Sequence, residues 1–273
     1  MKYIKQLFIG ALILWLTLII FSPGINGFVY GFTGMEISEL SENYQFFFKH
    51  LLSSILIIVL FFIYKFQKTS WPFKPIYSKA FIIATFFTIF LESIIEITIH
   101  SVFSTEGFLK LNPYFNYSLL PFYLVAIFIS ALLEEIIFRH YLFSRLQNLF
   151  NKKYDIIAVV VSAIIFSIAH FTNRDAMLVL SIFVSGLLYG FLFIKYNSIW
   201  IPLGVHFGHN LFSIAMTGDI ISLTTEDNFI YGQEPIFTIV RAIIIYFALI
   251  KLCPTTAHNS LWVSDMPKVI ENK

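Results

Sequence analysis

An all-α, polytopic membrane helix bundle of about eight spans is the fold class this sequence predicts, and three observations predict it. First, 58% of the 273 residues are hydrophobic and 12% are charged, against about 25% charged in an ordinary soluble domain. Mean hydropathy is +0.80. A water-soluble fold of this length has no interior large enough for so much apolar surface, so lipid is the solvent for much of the chain. Second, apolar stretches recur at close to the ~20 residues that a helix needs to cross a ~30 Å hydrocarbon core. Third, the basic residues fall on alternate connections between those stretches, as membrane topology requires.

The stretches cover residues 6–21, 46–66, 78–103, 119–143, 154–171, 176–196, 199–216 and 235–252. The first follows two lysines and lacks a small-x-small cleavage site. It reads as a span leaving the membrane at Phe21-Ser22-Pro23-Gly24, not as a signal peptide. The fourth continues past Phe143 as Ser144-Arg145-Leu146-Gln147-Asn148-Leu149-Phe150, a helical extension reaching the interface, and Asn151-Lys152-Lys153 is the turn that follows. With a cytoplasmic N-terminus, that side carries Lys2, Lys5, Lys65, Lys68, Lys74, Lys79, Arg145, Lys152, Lys153, Lys195, Lys251, Lys268 and Lys273. The other side carries Lys49, Lys110 and Arg174. Both termini are therefore expected in the cytoplasm, which requires an even number of spans. There is no internal repeat and no second soluble domain, so residues 1–273 form a single membrane domain.

A net charge of +2 argues against nucleic acid as a partner. The single cysteine, Cys253, excludes an intrachain disulfide and a cysteine metal cluster, and reads as a small residue at the membrane interface.

Ionisable residues inside spans are expensive and are functional candidates by default. Three sets stand out. In Glu134-Glu135-Ile136-Ile137-Phe138-Arg139, Arg139 lies one turn after Glu135 on the same face and can pair with it. Glu134 points about 100° away and is left free as a general base. A structural Glu–Arg clamp explains the doublet equally well. In Phe166-Ser167-Ile168-Ala169-His170, a lone imidazole is ordinarily an interhelical hydrogen-bonding residue. Its position alters that reading. Glu134 precedes Lys152 by 18 residues and His170 follows it by 18, so a tight hairpin brings the two level, each roughly 27 Å of helix from the turn. In His206-Phe207-Gly208-His209-Asn210, His206 and Asn210 share a face. The Asn210 amide suits an oxyanion better than it suits a base. His209 is a third imidazole or a packing residue, and the whole set also reads as polar glue between helices. Gly204 and Gly208 allow close helix approach, Trp200 reads as an interfacial anchor and Pro202 as a first-turn proline. Because His206 follows Trp200 by only a few residues, it is expected shallower than Glu134 unless the turn before it dips into the membrane. Glu92, Glu96 and His100 recur at one-turn spacing in the third span; we read the carboxylates as pairing with Arg241 in the eighth, or as lining a polar cavity. Lys49 and His50 are expected to snorkel to the outer interface.

Taken in order, Glu-Glu-x-x-x-Arg, Phe-x-x-x-His and His-x-x-x-Asn, each in its own apolar stretch, resemble the CPBP (Abi) family of intramembrane proteases, which includes the type II CAAX prenyl endopeptidase. The resemblance covers about 118–216 and matches every defining position. It implies an intramembrane endopeptidase acting on a membrane-associated peptide or protein. Glu134 would activate water with help from His170, Glu135 and Arg139 would support the site, and His206 and Asn210 would stabilise the oxyanion. It also implies a bacterial cell membrane as the setting, where processing of secreted peptides or immunity to a bacteriocin is a more natural role than cleavage of prenylated CAAX tails. The family is often labelled metalloprotease. No cofactor is expected here; zinc is possible, held by Glu134, His170 and His206, but there is no His-Glu-x-x-His.

Two rival classes stay open on the residues alone. Glu/His chains in apolar helices also serve transporters and proton relays, though the inverted repeats and broken helices of transporters are not evident. A non-catalytic membrane scaffold is the other.

Overall fold

The computed structural model describes residues 3–13, 42–67, 78–103, 110–111, 120–150, 155–171, 175–216, 221–222 and 234–254. They form an all-α bundle. Its helices are α1 (Tyr3–Ile13), α2 (Glu42–Phe66), α3 (Ser78–Phe103), α4 (Leu120–Glu135), α5 (Phe143–Phe150), α6 (Asp155–Ile168), α7 (Ala176–Tyr196), α8 (Trp200–Met216) and α9 (Pro235–Leu252), with a π-helical segment, Ile136–Leu142, joining α4 to α5. Four helical segments are long and apolar enough to cross a membrane: Lys79–Ile99, Leu120–Phe150, Ala176–Tyr196 and Pro235–Leu252. Tyr3–Ile13, Leu51–Phe66 and Asp155–Ile168 are shorter apolar helices. Each of the eight expected stretches overlaps a helix, the first over residues 6–13 among the described residues. The expected turn at Asn151-Lys152-Lys153, residues 14–21 of the first stretch and half of the basic residues used for orientation lie outside the described residues, as do the side chains of Lys49, His50, His100 and Lys110. A two-residue antiparallel pairing, β1 (Lys110–Leu111) with β2 (Ile221–Ser222), ties the segment after α3 to the one after α8.

Much of the described exterior is apolar, and several charged side chains are buried within the bundle, an arrangement lipid favours. Phe86, Phe90 and Phe247 face outward, whereas Glu92, Glu96, Glu135, Arg139, Arg145 and Arg241 are buried. The core runs in two connected regions. One gathers Leu60, Ile136, Ala158 and Leu203, and the other Ala84, Leu192, Ile245 and Leu249.

Two local features set the position of the polar interior. Along α8, Gly204 and Gly208 let the helix lie directly on α3. A Cβ at Gly204 would sit 2.6 Å from the Phe81 carbonyl oxygen, and one at Gly208 would sit 2.8 Å from that of Thr85. The close approach expected of these glycines is therefore made, and its partner is α3. The second feature is the π segment, which is absent from the sequence reading of a continuous helix. The Phe143 N–H reaches back five residues to the Phe138 carbonyl, and the buried Ser162 hydroxyl of α6 donates to the same oxygen at 2.9 Å. Such bulges frequently mark functional sites. This one begins one residue after Glu135.

Candidate active site

Glu134 and Glu135 close α4, and their side chains diverge as adjacent helical positions must. Glu135 is fully buried. Its Oε2 lies 3.4 Å from Arg139 Nε, so the expected one-turn pair is present. Its Oε1 has a partner the sequence did not reveal: His206 Nδ1–H donates to it at 2.8 Å. The Arg139 guanidinium is sealed beneath aromatic faces, 4.2 Å from the Phe166 ring centroid and 4.9 Å from that of Tyr189. Cation–π contacts of this desolvated kind contribute about 2 kcal/mol.

Glu134 is not isolated. Its Oε2 lies 3.5 Å from His170 Nε2 and 3.6 Å from His206 Nε2. The fifth stretch stops being helical at Ile168, so His170 sits in the turn after α6 and not within the span. There its Nδ1–H donates to the Phe166 carbonyl at 2.7 Å, and its ring packs on Phe166 at 4.7 Å. A carbonyl oxygen only accepts, so Nδ1 carries a proton, and in the neutral ring Nε2 presents a lone pair to Glu134. By the same logic His206, whose Nδ1 proton is held by Glu135, also presents Nε2 to Glu134. With both rings neutral, three acceptor atoms converge, and a water between them donates to two of the three.

His206 lies level with Glu134, its Nε2 3.6 Å from Oε2, despite its short distance to Trp200. Ile199, Ile201 and Leu203 are all buried, so α8 starts inside the bundle, and Trp200 packs its edge on Phe81. Tyr189 of α7, a residue missed by sequence reasoning, lies flat against the His206 ring at 4.9 Å with an 18° interplanar angle. Its only sequence signal is a tyrosine amid apolar neighbours. Asn210 is half-buried one turn beyond His206, and no hydrogen bond joins its side chain to the described residues.

A second buried cluster stands beside the first. Glu92 Oε1 of α3 accepts from His209 Nδ1–H at 2.9 Å and from Arg241 Nη1 of α9 at 3.1 Å. The expected Glu92–Arg241 pairing is thus present, with His209 as its third member.

The donor kinds at Glu134, His170 and His206 are those zinc takes, and Glu134 lies 3.5 and 3.6 Å from the two imidazole nitrogens. Yet among the described residues no three such groups are arranged to hold a metal ion.

Residues 116–212 match the family described as Type II CAAX prenyl endopeptidase Rce1-like. The match takes in every motif position from Glu134 to Asn210, over a little more than a third of the chain, and supports assignment to the CPBP/CAAX protease family. No curated protein and no solved structure matches the chain.

Proposed function

We propose that this chain, assigned to the CPBP/CAAX proteases on residues 116–212, is an intramembrane endopeptidase that hydrolyses a peptide bond of a membrane-associated protein or peptide with water activated by Glu134 and His170. The observation that carries the reading is the convergence of Glu134 Oε2 with the Nε2 atoms of His170 and His206 at 3.5 and 3.6 Å. A water there donates one hydrogen to the carboxylate and the other to an imidazole, leaving a lone pair for attack.

In the proposed step the water oxygen bonds to the carbonyl carbon, the C=O π pair moves onto oxygen, and the water proton passes to Glu134. Asn210 donates its side-chain N–H to the oxyanion. His206 keeps its Nδ1 proton on Glu135 and, through Nε2, orients the attacking water together with Glu134 and His170. Collapse breaks the C–N bond, and Glu134 returns its proton to the departing amine nitrogen. Arg139 and Glu135 hold His206 in its ring orientation from beneath. A site that must bring water into an apolar bundle gains from gathering its polar groups in one place. The proposed step needs no metal ion.

The test is Glu134→Gln, which keeps the shape and removes the basicity. Cleavage of a membrane-anchored peptide by the purified protein is expected to fall by about 10²–10⁴-fold, with the thermal unfolding midpoint unchanged. Wild-type turnover in this variant removes Glu134 as the base.

A further inference from the structure

The His209 imidazole has no part in that mechanism, yet it is held as carefully as His206. Each ring is the end of a buried series. Arg139 pairs with Glu135, and Glu135 holds His206 Nδ1. Arg241 pairs with Glu92, and Glu92 holds His209 Nδ1. The carboxylates and arginines are at most 8% exposed, and the tips differ. His206 is 5% exposed, while His209 is 22% exposed, as open as Glu134 and His170 at 23% each. His209 Nε2 makes no hydrogen bond among the described residues.

We infer that His209 is a further substrate-contacting residue of the proposed protease, its Nε2 accepting a hydrogen bond from a backbone N–H of the peptide next to the scissile bond. Four observations carry this. A clamp between α3 and α9 is complete with Glu92 and Arg241 alone, so the third member on α8 needs another reason. With Nδ1–H spent on Glu92, the neutral ring offers an acceptor at Nε2 and no donor. His209 is three residues from His206, a rise of about 4.5 Å along α8, and directly precedes Asn210, so it borders the reacting groups. Finally, an extended peptide entering a water-poor bundle brings backbone N–H groups that cost several kcal/mol if left unpaired, and an oriented acceptor removes that cost for one of them. The inference rests on the protease reading.

The experiment uses the full chain in detergent or lipid and a peptide substrate in which each amide flanking the scissile bond is N-methylated in turn. His209→Asn places an amide N–H where Nδ1–H was, so it keeps the Glu92 contact and removes the Nε2 acceptor. His209→Gln places a polar atom near Nε2 instead. His209→Asn is expected to lower kcat/KM on the unmodified peptide about tenfold with unfolding midpoint preserved, and His209→Gln to recover part of the loss. At one position, N-methylation is expected to cost the wild type about tenfold and His209→Asn less than about threefold. Penalties that are equal in the two proteins at every position overturn the inference, as does wild-type kcat/KM in His209→Asn. If the wild type cleaves none of the unmodified peptides, the protease reading itself fails and takes this inference with it; cleavage with additive penalties sinks this inference alone.

Discussion

Replacing Glu135 by glutamine separates the support of the site from its chemistry. Glu135 is fully buried, and its two oxygens face Arg139 at 3.4 Å and His206 at 2.8 Å. The amide oxygen of the introduced glutamine still accepts from His206 Nδ1, so that hydrogen bond survives. What is lost is the anion opposite Arg139, whose guanidinium is itself buried and whose two terminal nitrogens have no hydrogen-bond partner among the described residues. Removing one member of a buried pair costs about 3–5 kcal/mol, because the remaining charge is left uncompensated. The rings of Phe166 and Tyr189 are present in both proteins and do not offset the loss, but they keep the cation from being wholly unsolvated. The expected result is therefore a folded protein with an unfolding midpoint lowered by on the order of 10 °C and with reduced turnover, since His206 loses the charge beneath it. Thermal unfolding in detergent, followed by intrinsic fluorescence and paired with peptide cleavage, reads both quantities. Glu134→Gln is the control that should lose turnover without losing stability. If Glu135→Gln unfolds within a degree or two of the wild type, Arg139 does not depend on Glu135 and the account of the buried pair is wrong.

Three other outcomes are expected. Gly208→Val drives a side chain into the Thr85 carbonyl oxygen, where even a Cβ would sit at 2.8 Å, and should cost at least about 1–3 kcal/mol while lowering activity, because the helix it displaces carries His206; unfolding curves and cleavage rates measure both. Active protein purified in detergent should carry well under one metal ion per chain by elemental analysis; about one zinc per chain, with activity lost on its removal and regained on its return, would reverse the metal-independent proposal. In a Cys253→Ser background, cysteines introduced by Lys2→Cys or Lys273→Cys should react with a membrane-impermeant maleimide only after the cells are opened; labelling of either in intact cells contradicts the proposed cytoplasmic termini.

Solvent class, helical content and local pairs are the part of this protein that its sequence determined unaided. The apolar stretches at 78–103, 176–196 and 235–252 coincide with α3, α7 and α9 to the residue, because a chain in lipid must satisfy its backbone within each segment and so converts hydropathy directly into helix. The Glu135–Arg139 pair was legible for a similar reason, since one-turn spacing is a property of the helix alone. The approach of Glu134 to His170 was half-legible, through their equal distances from Lys152. What only the tertiary structure decided is how the helices are turned and how deep each begins. The contact between Glu92 and His209 joins positions 117 apart in sequence, and no local period announces it. That His206 lies level with Glu134 was left open by the sequence, because the placement of α8 against α4 is set by packing between helices and not by the tryptophan and proline at its start. In the π segment after Glu135, the Phe138 carbonyl accepts from a hydroxyl of another helix, Ser162 of α6. Each of these is set by contacts between segments, where rotation about a helix axis costs nothing until a neighbour arrives to oppose it.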